Sequence, residues 1–139
     1  MDLSKKQKEQ LEIKCIAYLS TEGDLYRTEK SENRQLRYLN DYAKAHGIDI
    51  CRVLRRNGMG QVIVNKHWEY MAAMIEKGIV DGVLIVNTEA VSASVPDAFY
   101  KVGQIHEAGG IVVTVDEGRL AMPVKRMKDG RMVLVNERF

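Results

Sequence analysis

The residues able to do chemistry fall into a few groups spread along the chain. Ser20 and Thr21 stand side by side directly after an apolar run, where a hydroxyl pair commonly caps a turn or a helix. An unperturbed hydroxyl is a poor nucleophile near neutral pH, and no His lies near Ser20 in sequence to activate it. Arg52, Arg55 and Arg56 form a small basic cluster, and Lys66 follows ten residues after Arg56; such groups either hold a phosphate or line a solvated loop. Gly58-Met59-Gly60 has part of the pattern of a phosphate-binding loop, but Ile63 stands where a third glycine belongs and no helix is expected to follow directly. His46, His67 and His106 lie far apart and read as helix-end or surface residues, not ligands. Cys15 and Cys51 sit inside apolar runs without a CxxC pair, so two buried reduced thiols are expected, with no metal site and no cofactor.

These groups need a scaffold, and composition bounds it. The 139 residues suit one domain with one hydrophobic core. With 45% hydrophobic and 29% charged residues the chain is an ordinary globular one. Its formal charge of +2 identifies no partner. The start, MDLSKKQKEQLEIK, lacks the apolar centre of an export signal, and no run is long and apolar enough to span a membrane. A cytoplasmic protein without membrane contact is expected.

Periodicity then places the elements. Residues 1–12 read as a flexible arm. Ile13–Leu19 is a buried first strand. From Glu32 to His46 an apolar stripe of Leu36, Leu39, Tyr42 and Ala43 predicts a first helix, closed by Gly47. Ile48–Leu54 is a second strand, followed by the turn residues RRNGMGQ. The core stripe Trp68, Met71, Ala72 and Ile75 marks a second helix, closed by Gly78, and Val80–Val86 a central third strand. A third helix starts near Pro96 or Asp97 with Phe99, Val102 and Ile105 inward, and ends at Gly109 and Gly110; Ile111–Val115 is a fourth strand. Such alternation implies right-handed crossovers and a three-layer, open, mostly parallel sheet with helices on both faces. Sites in such sheets lie at the carboxyl ends of the strands, where loops beginning at Ser20, Arg55 and Asn87 would meet. The tail breaks the rhythm: Val124–Met127 and Met132–Val135 flank Lys128-Asp129-Gly130, a hairpin signal. The divisions are an arm (1–12), a catalytic-type domain (13–118) and a hairpin extension (119–139).

Three stretches carry a resemblance: IAYLSTE (Ile16 to Glu22), SENRQLRYLNDYAKAHGI (Ser31 to Ile48) and GIVDGVLIVNTEAVSAS (Gly78 to Ser94). Together they resemble the catalytic domain of the serine site-specific recombinases, the resolvases and invertases, over roughly residues 13–116. The resemblance implies a flavodoxin-like resolvase fold with Ser20 in the place of the nucleophile and Thr21 beside it. Gln35, Leu39, Tyr42, Ala43 and Gly47 fit the helix that follows in the family, although Ser20 to Gln35 is several residues longer than in many members. Glu89 aligns with the acidic residue after the third strand.

The same alignment exposes departures. The family's arginines after its third strand fall on Ala90 and Ala93, the one two residues before the nucleophile falls on Tyr18, and the one preceding the second helix falls at or next to Asn65 and Lys66. In the family a serine hydroxyl attacks a DNA phosphodiester and leaves a 5′-phosphoserine link. Cations stabilise the negative charge gathering on the phosphoryl oxygens, and comparable arginines are worth roughly 10³ to 10⁵ in rate, or about 4 to 7 kcal/mol. The resemblance therefore implies a degenerate, catalytically inactive member kept as an interaction or regulatory module, associated with a mobile element. It implies a homodimer or higher oligomer, with DNA or an intact recombinase as partner. One alternative is an active recombinase using relocated cations such as Arg55, Arg56 or Lys66, with Arg27 and Arg34 also within reach. Another is an unrelated flavodoxin-like signalling or nucleotide module; a receiver domain would need an Asp ending the third strand, which Asn87, Thr88 and Glu89 do not supply. After Asp116 the chain reads as a loop and hairpin, in place of the long helix that follows this domain in full recombinases.

Overall fold

The computed structural model describes residues 13–21, 24–92 and 94–120, together with the short strands 124–126 and 132–134. The proposed arm at 1–12 and the Lys128-Asp129-Gly130 turn lie outside the described residues. Strand β1 (Ile13–Leu19) lies in the interior of the sheet, where Cys15 through Leu19, apolar on both faces, are all buried. Strands β2 (Ile48–Arg55), β3 (Gly82–Ile85) and β4 (Ile111–Thr114) run parallel to it in the order β2-β1-β3-β4. A short β5 (Gly118–Leu120) folds back antiparallel onto β4. The tail strands β6 (Val124–Arg126) and β7 (Met132–Leu134) pair antiparallel with each other, as the Asp-Gly signal predicts.

Helix α1 (Leu25–His46) covers one face, packing Leu39 and Ala43 on Cys15, Ala17 and Leu19. Helices α2 (Gln61–Glu76) and α3 (Val95–Glu107) cover the other, where Trp68, Met71 and Ile105 meet Ile16, Tyr18 and Val83. The Trp68 indole N–H donates to the Lys101 carbonyl at 2.9 Å and ties α2 to α3. Gly82 is required where β3 meets β4: a Cβ there would lie 2.4 Å from the Ile111 carbonyl oxygen.

Several expectations change. Helix α1 begins seven residues before Glu32. Asp24 caps it by accepting from the Arg27 amide at 2.9 Å, and its first turns bury Thr28 but no apolar stripe that periodicity could detect. A helix does follow Gly58-Met59-Gly60 directly, with Gly60 at the N-cap of α2; Asn65 and Lys66 consequently lie inside α2 and not before it. Helix α3 starts at Val95 behind the Ser94 cap, and Phe99 is 48% exposed instead of inward. Cys51 is exposed, because the β1–β2 register slips between Cys15↔Ile50 and Ile16↔Arg52 and leaves Cys51 as the bulged residue on an edge strand. The added β5 was not foreseen, its three residues being too few to show a period.

Candidate functional site at the carboxyl ends of the strands

The loops after β1, β2 and β3 converge on Ser20, as the parallel topology requires. Gln35, one helical face of α1 down from the chain entry, holds the Ser20 backbone at two points. The Ser20 amide donates to Gln35 Oε1 at 3.0 Å, and Gln35 Nε2 donates to the Ser20 carbonyl at 3.0 Å. Ser20 as a residue is only 4% exposed. Its hydroxyl donates to the Ala90 carbonyl in a short contact and accepts from Arg56 Nη1 at 3.3 Å.

Arg56 is itself 5% exposed. Its backbone amide continues the sheet by donating to the Leu19 carbonyl at 2.8 Å. The chain then turns through Asn57 and Gly58, both with left-handed φ (56° and 75°), which Asn and Gly tolerate best. That turn brings the Met59 carbonyl back to accept from Arg56 Nε. Opposite, Asn87 caps the short 3-10 turn Thr88–Ala90 by accepting from the Ala90 amide at 3.0 Å, and so aims the Ala90 carbonyl. Gln61 Nε2 donates to the Val91 carbonyl at 2.9 Å, joining the start of α2 to the same loop.

Beneath this sits Glu32, fully buried, one turn before Gln35. Its Oε2 accepts from the Asn57 amide at 3.0 Å, while Oε1 lies 4.0 Å from Arg55 Nη1 and has no hydrogen-bond partner among the described residues. Burial holds its carboxyl above the ordinary range, against the opposing pull of the Asn57 amide and Arg55. On the α2 side, Tyr18 Oη lies 2.7 Å from His67 Nδ1. Burial raises the phenol and lowers the imidazole, which favours the uncharged form of each.

The residues singled out in the sequence thus divide. Ser20, Gln35 and Arg56 are brought together; Thr21 follows Ser20 with its hydroxyl buried and unpartnered among the described residues. Arg55 is turned to Glu32. Lys66 is exposed on α2. Glu89 is exposed and lines a different cavity, of about 650 Å³, with Ser92, Phe99, Glu117 and Leu120. Ala93 lies outside the described residues. Glu32 was missed, although its i, i+3 spacing from Gln35 was a usable signal. His67, by sequence a surface or helix-end residue, is part-buried against Tyr18, which no local pattern announces. No cluster of His, Cys, Asp or Glu suited to a metal ion and no helix long and apolar enough to cross a membrane occurs among the described residues.

Three solved structures share this architecture. The N-terminal catalytic domain of TP901-1 integrase superposes with a TM-score of 0.62 at 21% identity, over 76% of this chain and 78% of that one. A resolvase family site-specific recombinase from Streptococcus pneumoniae gives 0.64 at 17% identity, over 77% and 74%. The fold is that of a serine recombinase catalytic domain. The C-terminal catalytic domain of ISC1926 TnpA, an IS607-like serine recombinase, agrees at 0.57 and 19% identity, over 74% and 67%. No protein-family model and no curated protein matches the sequence. Within the recombinase fold, the position after β1 is thus held by a serine whose hydroxyl already has two protein partners.

Proposed function

We propose that this chain is a recombinase-fold module that does not cleave DNA and acts by binding, as an interaction or regulatory partner. The observation that carries the reading is the enclosure of Ser20 Oγ between the Ala90 carbonyl and Arg56. A nucleophile needs a base for its proton and an open approach for the phosphorus. A backbone carbonyl is no base, and a hydroxyl buried with its whole residue 4% exposed offers no approach. Where charge would gather in phosphoryl transfer, Tyr18 and Ala90 bring none, and Arg56 is engaged by Met59 and Ser20.

By the same reading the module belongs to the cytoplasm and to a mobile element. It self-associates as a dimer or higher oligomer, and its partner is DNA or an intact recombinase. A second reading is favoured by one observation, the Arg56 guanidinium 3.3 Å from Ser20 Oγ: a relocated cation could polarise the hydroxyl if the loop opened. Supercoiled plasmid separates the two. The non-cleaving reading expects no nicked or linear product above a Ser20→Ala control, and nicking that is lost in Arg56→Ala would establish the second.

A further inference from the structure

The outer face of α1 is not used by any of the contacts described so far, and its charges are arranged against the helix's own interest. Arg27, Lys30, Arg34, Arg37 and Lys44 recur at three-, four- or seven-residue intervals, all exposed, with Glu29 and Asp41 the only exposed acids in the helix. Spacings of this kind put one side chain above the next, so Arg27 to Arg37 form a cationic row of roughly 15 Å along the axis, beyond which Asp41 stands in the same row before Lys44.

A face serving only to solvate a helix alternates its signs and puts acids first and bases last. Helix α3 keeps that order of ends, with Asp97 in its first turn and His106 in its last. Helix α1 departs from this at its start, although Lys44 and His46 in its last turn follow it. Its first turn holds no acid, and Arg27/Lys30, Lys30/Arg34 and Arg34/Arg37 are like-charge neighbours at i, i+3 or i+4, an arrangement that destabilises the helix. Arg27 reaches Asp24 at 3.5 Å on the surface. Two tyrosines flank the row, Tyr26 at 69% and Tyr38 at 54% exposure, and the Lys30 ammonium lies 5.1 Å from the Tyr26 ring centroid.

Because the whole chain carries only +2, the row is a local feature and not a reflection of overall charge. We infer that the outer face of α1 docks on the phosphate backbone of duplex nucleic acid, without reading its sequence. A row of cations on one helix face with hydroxyl-bearing aromatics beside it suits a linear polyanion, whose phosphates recur every 3.4 Å per strand, so that the stretch from Arg27 to Arg37 spans about four of them. Carboxylates on a folded protein partner have no such regularity. The inference rests on the reading of the chain as a binding module and is independent of whether Ser20 reacts.

The test is fluorescence anisotropy of the full chain with a fluorescein-labelled 20-base-pair DNA of arbitrary sequence, titrated between 50 and 200 mM salt. Binding should fall with salt at a log–log slope of about −3.6. Arg34→Glu/Arg37→Glu should weaken it at least tenfold and flatten the slope, while Lys77→Glu, an exposed charge at the end of α2, stays within twofold; circular dichroism verifies that both variants are folded. Absence of binding by the wild type at 50 mM salt, or a folded double variant that binds like the wild type, overturns the inference. So does competition by polyglutamate as effective as that by unlabelled duplex, which would mark an acidic protein as the partner. Loss of this surface with plasmid left intact strikes only this inference; nicking with the surface confirmed strikes only the non-cleaving reading.

Discussion

Gln35→Met removes the two-point grip on the Ser20 backbone while keeping the length of the side chain. Both bonds are 3.0 Å long, and each is worth about 1 kcal/mol net. Leaving the amide and carbonyl of Ser20 without partners adds about 1 kcal/mol or more for each group that water cannot reach. The expected loss is therefore about 2 to 4 kcal/mol, a large share of the roughly 5 to 15 kcal/mol that stabilises an ordinary domain. In urea, at an m-value of about 1.5 kcal/mol/M, the midpoint should fall by roughly 1.3 to 2.7 M with m unchanged. Because the grip is on the backbone, the same loss should recur in a Ser20→Ala background to within about 0.5 kcal/mol. A shift below about 0.5 kcal/mol, or one that vanishes without the Ser20 hydroxyl, would refute the reasoning.

Glu32→Gln tests the buried carboxyl. Burial raises its folded pKa above the ordinary 4.5, so the folded state holds the proton more tightly than the unfolded one. The contribution of this group is then complete below about pH 4.5 and is lost as pH rises through the raised value. Denaturant melts across pH should show wild-type stability falling relative to the glutamine variant over that window, and a relative gain would contradict it. Gly82→Ala places a Cβ 2.4 Å from a backbone oxygen of β4, which cannot rotate away; thermal unfolding should register a loss of at least about 2 kcal/mol, and a neutral variant would refute the close approach. Cys15 is buried with its thiol pushed up to about 12, whereas Cys51 is exposed at the bulge. Iodoacetamide on native protein should modify Cys51 alone and reach Cys15 only after denaturation; peptide mapping that finds native Cys15 alkylated would be contrary.

The sheet was legible because its strands are short runs apolar on both faces, as in β1 and β3, closed by turn residues. The helices were legible where a stripe was present. They were not where burial falls on single polar residues: Thr28 and Glu32 carry the first turns of α1, so its start escaped periodicity. The convergence of Ser20 with Gln35 followed from spacing plus topology. The Arg56 contact did not, since it depends on the left-handed turn at Asn57 and Gly58 folding the side chain back under the loop. Tyr18 with His67 joins residues 49 apart in sequence, a contact set by how α2 lies on β1. Phe99 and Cys51 show the opposite case: an apolar type in a good phase reads as inward, yet Phe99 borders an open cavity and Cys51 stands out of register on an edge.

The most direct measurement of the central claim is mass spectrometry of the Ser20 peptide after incubation with nicked suicide duplexes, which would trap a covalent intermediate by letting the cleaved fragment diffuse away. An unmodified Ser20 peptide at full recovery is the predicted result. A 5′-phosphoserine adduct at Ser20, absent from the Ser20→Ala protein, would contradict the account and make Arg56 the first residue to examine as its catalytic cation.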